Sequence, residues 1–192
     1  MKKTILTIIF AGILKASPAS AFTFSLETDP MPYFLNGYSV HTQVSFEKLS
    51  HWRFGMGGFY MEYPEFMINL EPDNKDKGWN VHMHGMAFAV EYYLKRQTEG
   101  LFMGAAFLTG FFEVSNNNVS NEKINYTSFL PTFRIGYRWL PFKDNGFYIL
   151  PWFGLGVTAS KAPDTQVGSM EYVVNRVTPL VSLHVGYEFN FQ

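Results

Sequence analysis

The 192-residue chain contains no cysteine, so no disulfide can hold it together. An exported protein of this composition must rest on packing and hydrogen bonding alone. Charge is also scarce: Asp, Glu, Lys and Arg together make up 16%, and the formal net charge is −1. Such a dispersed, faintly acidic balance excludes the basic stripe that nucleic-acid binding requires. Long hydrophobic runs are missing as well. The one apolar run, residues 5–14, is about half of what a helix needs to cross a bilayer, so a helical membrane protein is excluded.

That short run has another use. Lys2 and Lys3 precede it, and Ala19-Ser20-Ala21 follows as a small-x-small cleavage pattern. Residues 1–21 are therefore expected to be a cleaved secretory signal, and residues 22–192 one mature domain. The leader carries Lys2, Lys3 and Lys15 but no acid, so cleavage shifts the formal charge from −1 to −4.

What the chain does have is aromatic side chains, at 18%, and 16 glycines. They follow a two-residue period. Val185, Tyr187, Phe189 and Phe191 share one phase, and His184, Gly186, Glu188 and Asn190 the other. The same alternation runs through Tyr38–Glu47, Trp52–Tyr60, His84–Leu94, Phe129–Trp139, Phe147–Val157 and Val177–Val185. Short polar connections at 48–51, 95–99 and 141–146 alternate with longer ones at 64–78, 115–124 and 161–171. Adding residues 22–28, with 29–37 as a first long loop, brings the count to eight.

A soluble sandwich or lipocalin-like barrel also alternates. Its solvent face, however, should be rich in Lys, Glu and Ser. Here the face opposite the large apolar groups is Gly, Ala, Ser and Thr, which suits a narrow, filled lumen. The fold expected is all-β: an eight-stranded antiparallel transmembrane up-and-down barrel with lipid on its aromatic side. Trp52, Tyr92, Trp139 and Phe191 would form its inner interfacial girdle.

His184, Gly186, Phe189 and Phe191 carry a resemblance. Their polar-x-Gly-x-x-apolar-x-apolar order resembles the C-terminal assembly signal of outer-membrane β-barrels, although Gln192 follows the last aromatic. In pattern the whole mature chain is similar to the small barrels of that class: outer-membrane protein A domains, opacity proteins and W-type channels. The resemblance implies a location in the bacterial outer membrane, contact with lipid and lipopolysaccharide, and handling by the barrel-assembly machinery. A monomer without cofactor or resident metal is expected.

Several polar residues are candidates for a role. Glu47, Glu91, Glu188, Arg53, Arg134 and Arg138 fall on the predicted inner phase, where charges must be paired, so a lumen salt-bridge network is expected. Pro131, Pro151 and Pro179 fall inside predicted strands on the lipid-facing phase. They would mark either bulges or a weakened lateral seam, similar to the openings of the lipid A palmitoyltransferase and of hydrophobic-compound channels. Ser182, His184 and Glu188 share one strand face, but about 13 Å separates His184 from Glu188 along a strand, too far for a triad. The lipid A deacylase family carries His-x-Ser, whereas this chain reads Ser182-x-His184. His82 and His84 form a pair without a third metal ligand, near Lys75, Lys77 and Trp79.

The function expected is that of a non-enzymatic envelope barrel, structural or surface-interacting through its outer loops. The alternative is a narrow channel for small hydrophobic or polar solutes, through the proline seam or the charged lumen. A lipid A-modifying enzyme is the third possibility.

Overall fold

A computed structural model describes residues 21–191 apart from 117, 143–144 and 160–164; the side chains of Gln97, Ser120 and Asn121 are also left aside. The expected signal sequence falls outside the described residues, except for Ala21. Eight strands close an antiparallel barrel: β1 (Phe22–Thr28), β2 (Tyr38–Phe46), β3 (Trp52–Glu62), β4 (Asn80–Tyr93), β5 (Gly100–Asn116), β6 (Ser120–Arg138), β7 (Phe147–Val157) and β10 (Val177–Phe191). Between β7 and β10 lies a small hairpin, β8 (Gln166–Val167) with β9 (Met170–Glu171). Two single-turn helices, α1 (Met31–Phe34) and α2 (Glu65–Ile68), sit in the first two long connections. Each barrel strand pairs with its chain neighbour, and β1 closes on β10 from Phe22↔Phe191 to Thr28↔Val185.

The alternation has a simple physical outcome. Along β4, Met86, Phe88 and Val90 point out and are exposed, while Gly85, Ala89 and Glu91 point in and are buried. Outward apolar groups continue around the wall, among them Leu101, Met103, Phe107 and Phe111 on β5. Leu101 and Phe111 are ten residues apart, about 33 Å along the strand, which a tilt of roughly 40° reduces to about 25 Å of height. That is the height of a lipid-facing band. Above Phe111 the outward face changes character. Glu113 pairs there with Lys123 at 2.7 Å, which holds its carboxyl below the usual range, and His82 lies directly across the ladder.

Short turns lie at one end, at Glu47–Leu49 and Arg96–Thr98, together with the ends of β1 and β10. The long connections lie at the other end. The 115–124 stretch, expected to be a loop, is a correction: β5 runs to Asn116 and β6 starts at Ser120, so the hairpin stands above the band. The outer connections are packed rather than loose. Trp79, Val81, Val114, Tyr126, Val167 and Tyr172 form a buried cluster with Ile68 of α2. Burial there pushes the Tyr172 hydroxyl up to about 12. Asn74 clamps two loops by donating to the Val173 carbonyl at 2.7 Å and accepting from its N–H at 2.9 Å.

One seam is thin. β5 and β6 pair from Gly100↔Arg138 to the hairpin tip, but β6 and β7 pair continuously from Thr132↔Gly156 to Gly136↔Trp152, with an isolated bridge at Trp139↔Ile149 and the Ala159 N–H donating to the Phe129 carbonyl at 2.8 Å. Trp139 and Ile149 exchange both backbone bonds, at 2.8 and 2.9 Å. Antiparallel alternation then makes Tyr137↔Pro151 and Pro131↔Val157 hydrogen-bonding positions as well, and each has a proline where a donor belongs. Pro131 and Pro151 thus weaken the same ladder. Pro179 does not: its nitrogen faces the β1 side, and β1 has ended at Thr28↔Val185. Replacing Pro151 with Val restores a donor for the Tyr137 carbonyl. The variant should gain about 1 kcal/mol in urea unfolding; a midpoint at or below that of the unaltered protein would refute this account of the seam.

Candidate functional site

The lumen is the candidate site, because closure turns every second residue inward. Its lower half is filled by charge. Arg53 on β3 sits between two acids, 2.6 Å from Glu27 of β1 and 3.6 Å from Glu91 of β4. Arg134 on β6 reaches Glu91 at 2.8 Å, and Arg138 on the same strand pairs with Glu188 of β10. Arg53, Glu27, Glu91 and Arg138 are all fully buried.

Hydrogen bonds complete the set. Tyr148 donates to Glu27 at 2.7 Å and accepts from Arg53, and Tyr93 donates to Glu91 at 2.7 Å. His184 Nδ1 lies 2.8 Å from Glu27, and Gln43 donates to the same carboxylate at 3.2 Å. Arg138 donates to the Thr98 carbonyl at 2.9 Å and lies 3.9 Å from the Tyr148 ring. Tyr93, Phe102, Tyr148 and Leu150 pack into a buried apolar cluster of their own. Charge and rings together fill the cross-section at this level.

The predicted residues divide. Arg53, Glu91, Arg134, Arg138 and Glu188 come together through these pairs. Glu47 does not: it borders the inner cavity and its N–H donates to the Ala21 carbonyl at 3.1 Å, but it lies exposed in the turn Glu47–Leu49 and joins none of these pairs. Glu27 takes the central place that was not foreseen. Its signal was present, since it is opposite in phase to Phe24 and Leu26. Of the assembly-signal residues, His184 and Gly186 face inward; Phe189 and Phe191 face outward, where Phe191 stacks on Phe22 at 4.9 Å. Gly186 lies under the Tyr148 ring, and a Cβ there would fall 2.4 Å from it.

Ser182, His184 and Glu188 form no triad. Ser182 donates to Asp29 at 2.6 Å, His184 is held by Glu27, and Glu188 by Arg138. His82 and His84 lie on the outer face beside Tyr60, whose hydroxyl is 3.0 Å from His82 Nδ1. Among the described residues no group of three or more acids and histidines could hold a metal ion. Trp52, Trp139 and Phe191 are exposed at the short-turn end, and Trp52 meets Tyr92 edge-on at 5.0 Å.

The filled layer separates two cavities. An outer one of about 310 Å³ reaches from Arg134 and His184 up to the long loops. An inner one of about 520 Å³ lies at the short-turn end between Phe22, Thr98 and Glu188.

No protein-family model matches the chain, and no curated protein matches it. Solved barrels do resemble it in shape. The N-terminal β-barrel domain of Pseudomonas aeruginosa OprF is 11% identical and superposes with a TM-score of 0.46, covering 90% of this chain and 100% of that one. Neisserial surface protein A is 8% identical with a TM-score of 0.48, over 89% of this chain and 98% of that one. A major outer membrane protein from Thermus thermophilus is 11% identical with a TM-score of 0.49, over 90% of this chain and 100% of that one. The barrel itself rests on the strand pairing described above.

Removing one partner of a buried pair leaves the other charge without compensation. Arg53→Ala should therefore lose about 3–5 kcal/mol of unfolding free energy. Arg53→Met with Glu27→Leu, which removes both charges, should recover most of that loss. A single variant within about 1 kcal/mol of the unaltered protein would show that the network carries no such burden.

Proposed function

We propose that this chain is a non-enzymatic β-barrel of the bacterial outer membrane, closed to through-flow, that serves envelope integrity and presents an ordered surface to the outside. The apolar band supports the membrane setting, because about 25 Å of exposed Leu, Phe, Val and Met around a closed wall suits hydrocarbon and not water. The observation that carries the closed state is the buried layer of Glu27, Arg53, Glu91 and Arg138 with Tyr93 and Tyr148. Ions would have to break these pairs to pass.

The outer connections support the surface role. Their described residues share a buried core and a side-chain clamp, which favour one arrangement of the parts they join. Lipid and lipopolysaccharide are the expected neighbours of the band and of the Glu113–Lys123 and His82 level above it. Phe189 and Phe191 on the outward face of the last strand are available to the assembly machinery, and the protein acts as a monomer.

Planar bilayers containing the folded protein should show no discrete conductance steps; regular steps that change with the Arg138→Ala variant would overturn the sealed reading. Trypsin added to intact cells should cut at Lys75 or Lys77, which are exposed on the outer side, and spare Lys95. Cleavage at Lys95 alone would reverse the orientation. Lipid A mass spectra should be the same with and without the protein, and a new acylation or deacylation product would make it an enzyme.

A further inference from the structure

Several buried polar atoms of the lumen lack a hydrogen-bond partner among the described residues; Arg53 Nη1, Glu91 Oε1 and Arg138 Nε lie in the filled layer, and others border the outer cavity. Arg134 is buried on its floor, with its guanidinium 4.4 Å from the Trp152 ring and one edge turned to Glu91. Its Nε has no hydrogen-bond partner among the described residues, and neither has the Trp152 Nε1 beside it. The Gln43 side-chain oxygen is likewise unmatched, and all three residues border the cavity. Buried donors are almost always bonded, so a floor with two free N–H groups is shaped for an acceptor that arrives from elsewhere.

Above this floor the wall is almost wholly apolar, with Phe59, Met61, Ala87, Ala106, Leu108 and Leu180 along it. The rim continues the same chemistry into solvent. Met31 of α1, Phe66 of α2 and Leu70 all border the cavity and are exposed by 49%, 66% and 45%. Among the described residues a single carboxylate borders the cavity, Asp29 near the rim. Its oxygens already accept from the Met31 N–H at 2.8 Å and the Ser182 hydroxyl at 2.6 Å. The acids beneath the floor, Glu27 and Glu91, are held by Arg53, Tyr148 and Tyr93.

We propose that the outer half of the lumen binds a linear aliphatic carboxylic acid, with its carboxylate on Arg134 and Trp152 and its chain rising along the apolar wall to the Met31–Phe66 rim. The floor offers one guanidinium, already shared with Glu91, so a singly charged head suits it and a doubly charged phosphate monoester does not. A volume of about 310 Å³ lies at the small end of ligand pockets, which fits one medium-length chain and not a folded phospholipid. Through-flow is not needed, because the site opens outward and ends on the sealed layer. The proposal goes beyond the closed-barrel reading, and its failure would leave that reading standing.

The test uses the folded mature chain in maltoside micelles and the protein-dependent emission of bound parinaric acid. Dodecanoate should displace the probe at a concentration about tenfold below that required of dodecanol, which has the same chain without the charge. Arg134→Gln should abolish that preference while displacement by the alcohol persists. Should that variant fail to fold, Trp152→Phe, which removes the other free N–H and no ion pair, should narrow the preference. Ala87→Trp fills the cavity without entering an ion pair. It should abolish probe binding while the heat-modifiable gel shift of a folded barrel is retained. Equal displacement by acid and alcohol would overturn the carboxylate site, and unchanged probe binding in a folded Ala87→Trp protein would overturn the cavity itself.

Discussion

A carboxylate inside a closed barrel has no water to solvate it, so donors must converge on it from the surrounding wall. Glu27 is in that position, and its donors come from all round the ring. Gln43 stands on β2, Arg53 on β3, Tyr148 on β7 and His184 on β10, while Glu27 itself belongs to β1, the strand that completes the barrel. Backbone ladders join each strand only to its two neighbours. Glu27 instead ties together the first, second, third, seventh and last strands of the wall at one point. The rest of the lumen is arranged about that point: Glu91 shares Arg53, Arg134 shares Glu91, and Tyr148 bridges Arg53 and Glu27.

This arrangement divides the interior by chemistry. Below the Glu27 level, Arg138 and Glu188 extend the polar fill toward the short turns. Above it Ala87 and Ala89 of β4 and Ala106 of β5 face inward beside Leu108, and the space they leave is bordered by Met and Phe from the outer connections. A largely apolar upper lumen and a charged lower one therefore give one barrel two interiors. The outer connections pack on a separate core of their own, with Trp79 and Tyr172 meeting edge-on at 5.4 Å.

Much of the wall was legible in the sequence because the period is local. Each strand had only to alternate, and Phe88 or Leu183 reports its own side without knowledge of any other strand. Glu47 borders the inner cavity as the rule implies, but it joins none of the lumen ion pairs described. Its phase continues that of β2, but pairing ends one residue earlier, where the turn begins. Asn-rich residues 115–118 suggested a loop, although cross-strand packing of Val114, Ile124 and Tyr126 keeps the hairpin paired almost to its tip. The outer core was not legible at all. Trp79, Val114 and the pair Val167 and Tyr172 come from three separate parts of the chain, and nothing in their local spacing shows that they meet. The fates of the prolines needed register as well: parity placed all three outward, but only pairing shows Pro131 and Pro151 on one ladder and Pro179 on none.

The unequal ladders also give the wall a mechanical grain. A barrel drawn out of a membrane by one end parts first where the fewest bonds must break together; β1 holds its two neighbours by six and seven paired positions, while β4 and β5 are joined by fourteen and β5 and β6 by seventeen. Under tension the chain would therefore lose its short-laddered strands first, with β4, β5 and β6 holding together longest. Force applied at the C-terminal strand would part the seven-pair closure with β1 before the eleven-pair ladder with β7, so the strand that holds Arg134 and Arg138 would be among the last to learn of it.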